Sequence, residues 1–169
     1  MDMQDSHASP RLRPPRNPVE RRAVTWWATQ AALWWGGIVV VLAVAAAVIG
    51  PARFWLLLAA AVTAVVCLVD ALVVSRVRFR VHRWEVTDDA VYARTGWFMQ
   101  EWRVAPMSRI QTVDTKRGPL EQRFGLSTVT VTTASAHGAI KIPGLDHRMA
   151  DDLVQTLTAI TQATPGDAT

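Results

Sequence analysis

Residues 24–49 read VTWWATQAALWWGGIVVVLAVAAAVI and residues 54–75 read FWLLLAAAVTAVVCLVDALVVS, with only Gly50-Pro51-Ala52-Arg53 between them. Each run exceeds the about 18 to 20 apolar residues that a helix needs to cross a bilayer core. Gly50 suits a helix end and Pro51 cannot continue a helix, so the pair predicts a tight antiparallel hairpin. A cleaved signal sequence is the competing reading of the first run, since Arg21 and Arg22 precede it and Ala43-Val44-Ala45 supplies small residues. Signal cores hold only about 7 to 15 apolar residues, and here a second full run follows at once. The two runs make this an integral membrane protein.

Working outward, Arg11, Arg13, Arg16, Arg21 and Arg22 lie before the first span, Arg76, Arg78, Arg80 and Arg83 after the second, and Arg53 alone between them. Cationic flanks are retained on the cytoplasmic side, which predicts a multi-pass protein of the cell membrane with both termini cytoplasmic. Trp26 and Trp27 read as an inner aromatic belt, and Phe54 and Trp55 as an outer one. Arg21, Arg22, Arg76 and Arg78 are the membrane-flank cations; such residues also attract anionic head groups at about 1 kcal/mol each.

The chain has 169 residues and a pI of 10.2. That basicity does not mark a nucleic-acid binder, because from Trp84 onward eight Lys and Arg face ten Asp and Glu, and the positive excess sits at the membrane flanks. The single cysteine, Cys67, lies in the second span, so there is no disulfide framework, and it reads as a small packing residue.

Inside the spans, Gly36-Gly37 and the alanines 45–47 and 59–61 offer small surfaces on which the hairpin packs against itself. Trp34 and Trp35 lie too deep for belt residues and are placed to face another helix. Asp70 is the one ionisable residue in either span. Two readings of it stand: a group near enough to the surface to reach the interface or a flanking arginine, and an intramembrane contact with a partner subunit.

Residues 1–22, with Pro10, Pro14, Pro15 and Pro18, lack an apolar period and read as a disordered cytoplasmic tail; residues 23–76 form the hairpin, 77–162 a folded domain and 163–169 a second tail. Alternating stretches predict strands over 77–87, 91–95, 97–105, 110–115, 127–133 and 139–142, with Asp88-Asp89 and Thr95-Gly96 as hairpin turns, the second needing a positive φ at Gly96. Residues 119–124 read as one helical turn in which Leu120 meets Phe124. Met149, Leu153, Leu157 and Ile160 mark a helix over 146–162, capped by Asp146. The fold class is therefore α+β: a transmembrane hairpin, then an antiparallel β domain closed by a C-terminal helix.

The stretches Trp84-Glu85-Val86-Thr87-Asp88-Asp89, Arg94-Thr95-Gly96, Val104-Ala105-Pro106-Met107-Ser108-Arg109-Ile110-Gln111-Thr112-Val113-Asp114 and Gly118-Pro119-Leu120-Glu121-Gln122-Arg123-Phe124-Gly125-Leu126 closely resemble the bacterial PH-like family once known as domain of unknown function 304. Its YdbS-like members share this layout, with two amino-terminal spans and one such domain, and the resemblance covers about residues 20–160. It implies a PH-like fold, whose usual seven strands exceed the six read above. Either 77–87 divides into two strands, or a short one lies between Lys116 and Leu126.

Ser108, Ser127, Ser135, His137 and Asp114 are nucleophilic-site ingredients, but Ser135 and His137 read as an exposed hairpin tip with no oxyanion pocket, so no catalytic residue is assigned. His7, His82 and His147 are dispersed, and neither a metal nor a cofactor is expected. Arg109, Lys116, Arg117 and Arg123 form a candidate cationic rim for lipid phosphate or an acidic partner segment. Arg109 and Asp114 alternatively form a charged pair that sets strand register. Eukaryotic PH domains bind phosphoinositides through basic residues of the first hairpin loop, where this chain carries Asp88-Asp89. Thr130, Thr132 and Lys141 suit an exposed face that takes a peptide strand or sister domain. Trp97, Phe98 and Trp102 read as cross-strand packing, and become an interface if exposed together. The expected protein is a non-enzymatic, membrane-anchored module that assembles with partners at the cytoplasmic face. Membrane lipids, a membrane protein with repeated PH-like domains and a second copy of the chain are the partners considered; binding of anionic head groups or another small ligand is the alternative.

Overall fold

The structure, a computed structural model, describes residues 15–134 and 138–163. Helix α1 (Arg22–Val48) runs to the 3-10 turn Gly50–Ala52, and α2 (Arg53–Val69) returns antiparallel to it. Helix α1 and the continuous helical stretch Gly50–Val81 that contains α2 are long and apolar enough to cross a membrane and expose most of their side chains. Among the small residues, Ala46 and Ala60 are buried in the hairpin. A Cβ on Gly36 or Gly37 would meet nothing within 4 Å, so these glycines do not make the close approach expected of them.

The returning helix continues past the apolar run. It widens into a π-helical segment, Asp70–Val74, and proceeds as α3 (Ser75–Val81). The strand expected over 77–87 is therefore only β2 (Arg83–Val86). Arg76, Arg78 and Arg80 alternate with Val77, Phe79 and Val81, a period of two that mimics a strand, but Val74, Val77 and Val81 also satisfy the helical period. A helix already propagating through the span adds one hydrogen bond per further residue, and that decides the outcome.

Among the described residues, seven strands follow the PH-like pattern. The first, β1 (Asn17–Pro18), precedes the membrane hairpin and pairs with β2, opposing Asn17 to Trp84 and Pro18 to Arg83. The expected tail is thus structured over 15–22, and neither proposed source of the seventh strand applies. One sheet has the order β1, β2, β3 (Ala90–Thr95), β4 (Glu101–Pro106); the other has β5 (Ile110–Lys116), β6 (Leu126–Thr133), β7 (Ile140–Asp146). The strand expected from Trp97 begins only at Glu101, and β7 runs four residues beyond the expected Ile142.

Alternation builds the core. Val129 and Val131 of β6 are fully buried, and they oppose Ile142 and Ile140 of β7. The helical turn expected over 119–124 is α4 (Pro119–Phe124), and it turns Leu120 and Phe124 toward this core. Helix α5 (His147–Ala163) lays Ala150, Leu153, Leu157 and Ile160 on β5, β6 and β7, with Ala150 taking the place expected of the exposed Met149. Asp146 Oδ1 accepts from the Arg148 N–H at 3.0 Å, a side-chain N-cap.

The core extends into the base of the hairpin. Val19, Ala23, Trp26 and Trp27 pack with Trp84, Leu126, Leu145 and Ala150 in one apolar cluster. Trp26 and Trp27 are 9% and 5% exposed, so they are core residues and not an interfacial belt. Gly144 permits this contact. Its φ is +75°, and a Cβ there would stand 2.8 Å from that of Ala23.

Candidate functional site

Three places gather the residues singled out by sequence. The first is inside the hairpin. The Trp35 indole Nε1 donates to Asp70 Oδ2 at 3.0 Å, while Trp34 is 70% exposed. Asp70 therefore finds its partner on the neighbouring span, and the flanking Arg76 turns to the Leu72 carbonyl instead. Asp70 also begins the π-helical segment, whose backbone is held by the N–H and the hydroxyl of buried Ser75, both donated to the Asp70 carbonyl. Segments of this kind recur at functional positions in helices.

The second place joins the hairpin to the domain. Arg22 donates to Asp146 Oδ2 at 2.5 Å and to the Phe124 carbonyl at 3.2 Å. Burial pushes the Asp146 carboxyl up; the Arg22 hydrogen bond, the N–H groups of Arg148 and Met149 and the charge of Arg22 outweigh it and hold it below the ordinary carboxylate value. On the second helix, Arg94 donates to the terminal carbonyls of α3, Val81 at 2.9 Å and Arg80 at 3.4 Å, and its guanidinium lies 5.5 Å from the Trp102 ring centre. A cation there complements the helix dipole. His82, where helix turns to strand, sets its ring 5.1 Å from that of Trp27 at a tilt of 50° and donates Nδ1–H to the Arg78 carbonyl at 2.8 Å. Burial lowers its pKa most, the Arg78 carbonyl raises it and the Arg78 charge lowers it further; the net direction is down.

The third place is a groove of about 660 Å³ between β4 and the facing residues Arg109, Thr133, Gly138 and Ile140. Every residue from Glu101 to Pro106 lines it. Side chains on one face of a strand alternate, so six consecutive lining residues mean that β4 presents its edge. Among the described residues no strand pairs with that edge. Trp102 and Val104 are partly exposed beside it.

The expected cationic rim is split. Arg109 stands at the start of β5 and lines the groove, whereas Lys116 ends that seven-residue strand, about 20 Å away at the usual rise. Lys116, Arg117 and Arg123 are exposed beside α4, which packs on the N-terminal end of α1. Arg117 Nε donates to the Leu126 carbonyl at 3.2 Å. Asp114 opposes Thr130, and its carboxylate accepts from Thr112 at 3.4 Å rather than pairing with Arg109. Thr130 and Thr132 are half-buried and Lys141 is exposed.

Of the nucleophilic ingredients, Ser135 and His137 lie outside the described residues, and Ser127 is fully buried with no hydrogen-bond partner for its hydroxyl among them. His7 also lies outside them. No group of three metal-ligating side chains occurs among the described residues. Sequence reasoning missed the edge of β4; Trp102, Val104 and Pro106 at every second position mark an exposed face of that strand, and its unpaired edge follows only from the sheet order.

Comparison with known proteins agrees with this architecture. The chain is 32% identical over 100 residues to the transmembrane protein YdbS of Bacillus subtilis (strain 168), a match covering 59% of this chain and 62% of that one. No solved structure matches. A family model described as a bacterial PH domain matches residues 31–161, a stretch that starts inside the first membrane helix and ends in α5. With seven antiparallel strands, a closing helix and a hairpin rooted in the same core, the chain belongs to the bacterial PH domain family.

Proposed function

We propose that this protein is a non-enzymatic, membrane-anchored PH-like module that binds an extended segment of a protein partner along β4, on the cytoplasmic face of the membrane. The β4 edge above its groove, with which no strand pairs among the described residues, carries this reading. An unpaired edge offers a row of N–H and C=O groups to an added strand, and Trp102, Val104 and Arg109 supply apolar and cationic contacts for its side chains. Arginines flanking both helices support the cytoplasmic orientation. The Asp70–Trp35 pair lies where a partner's own helices can be met, so a larger membrane protein carrying PH-like domains suits both surfaces. A second copy of this chain is the other protein outcome.

The lipid reading rests on a separate observation: Lys116, Arg117 and Arg123 stand exposed beside the base of α1, close to Arg22. The discriminating experiment is gentle extraction of the tagged full chain, with co-purified proteins and lipids identified by mass spectrometry. A stoichiometric protein lost on Val104→Pro and retained at high salt supports strand addition, because Pro removes an edge donor while leaving charge unchanged. An anionic lipid lost on replacing Lys116, Arg117 and Arg123, or at high salt, supports head-group binding instead.

A further inference from the structure

The β3–β4 turn carries Trp97, Phe98 and Met99 at 48%, 83% and 77% exposure. Trp97 and Phe98 are not packed across strands but stand exposed together, the case in which the sequence points to an interface, beyond the last strand pair, Thr95 opposite Glu101, with their rings 5.9 Å apart. The turn is closed tightly on itself, since a Cβ on Gly96, at φ +102°, would stand 1.9 Å from the Met99 carbonyl oxygen. These side chains are held outward by a compact backbone and not by a loose loop.

Strand register says which way the tip points. Strand β2 leads away from the end of the membrane helix, starting at Arg83. Its partner β3 runs back, bringing Arg94 opposite Arg83 and onto the Arg80 and Val81 carbonyls. The chain then continues two residues further in that direction before the tip. The aromatic turn therefore leaves the sheet at the end where the spans enter, while the opposite turn carries Asp88 and Asp89. One hairpin end is aromatic, with Arg80, Arg83 and Arg94 beside it and Glu101 ion-paired to Arg103; the other carries Asp88 and Asp89. That polarity matches a bilayer interface on the first side and water on the second.

We propose that the 96–100 tip is a third membrane attachment, dipping Trp97, Phe98 and Met99 into the head-group region of the bilayer that the hairpin crosses. Its occupant is lipid, and the attachment would fix the tilt of the domain against the membrane. The proposal depends neither on the partner reading nor on which side faces the cytoplasm.

The test uses the full chain with Cys67→Ala, one copy per nanodisc of zwitterionic and anionic phospholipid, carrying an environment-sensitive fluorophore on Phe98→Cys or, as control, on Asp88→Cys. At position 98 we expect blue-shifted emission, quenching by lipids spin-labelled near the head group and loss of iodide quenching; at position 88 we expect red emission and full iodide quenching. Equal iodide access at both positions would overturn the attachment. So would a position 98 shielded from iodide yet not quenched by labelled lipid, which would mean that protein covers it. Met99→Cys repeats the measurement should the label at 98 disturb the turn.

Discussion

Arg22, in the first turn of the first membrane helix, binds Asp146, the N-cap of the last helix, across 124 positions of sequence. The contact ties the anchor to the domain through side chains as well as through the chain itself. With Arg94 on the α3 carbonyls, both membrane helices end on hydrogen-bonded clamps.

Arg22 is about half exposed, so its ion pair is screened and worth roughly 0.5 to 1 kcal/mol. A double-mutant cycle with Arg22→Ala and Asp146→Ala, read by thermal unfolding in detergent, should return a coupling of that size. Asp146 has a depressed pKa when folded, so its contribution is present above the ordinary carboxylate pKa and is lost as pH falls through the lower folded value. Asp146→Asn should remove that acid-dependent component.

His82 carries the opposite proton logic. Its folded pKa lies below the unfolded value of about 6.5, so the unfolded chain binds the proton better. Stability should be full above that value, decline as pH falls through it and level off below the folded pKa. Denaturation midpoints between neutral and mildly acidic pH should show this slope in the wild type and a weaker one in His82→Gln.

Gly144→Ala should destabilise the fold by about 1 to 3 kcal/mol, because the added methyl meets Ala23 and the residue must hold a positive φ. Ala23→Gly in the same chain removes the clash but not the backbone strain. Thermal unfolding should therefore show partial rescue, and complete rescue would assign the whole effect to the clash.

Trp27→Ala should cost about 3 to 5 kcal/mol as a core truncation. Trp55→Ala, at a 68% exposed residue, should change unfolding in detergent by about 0.5 kcal/mol or less. Equal effects would return Trp27 to the belt role suggested by its position in sequence.

Trp35→Phe and Asp70→Ala should be non-additive, with a coupling near 0.6 and no more than about 1.7 kcal/mol, the range of hydrogen bonds between membrane helices. Asp70→Asn keeps an acceptor oxygen and should retain most of it in unfolding measurements.

Features set by local composition were legible in the chain. Two long apolar runs with a Gly-Pro break have one low-energy arrangement in a bilayer, and the alternation of Val129 and Val131 with threonines allows only a half-buried strand. The capping Asp146, the 119–124 turn and the α5 stripe follow from equally local periods. The Arg109 to Asp114 run and the Gly118 to Leu126 segment carry the family resemblance.

Tertiary structure decided everything that depends on which distant segment arrives first at a buried surface. Asn17 and Pro18 have no pattern of their own and become a strand only because β2 leaves an edge beside them. Trp26 and Trp27 satisfy a belt and a core equally well by composition, and the domain claims them because Gly144 lets α1 approach closely. Six residues of extended β5 separate Arg109 from Lys116, although a short sequence gap suggests one rim. Periodicity reports the surroundings of a residue along its own element; pairing, burial and charge clustering are set by competition among elements, which only the folded chain resolves.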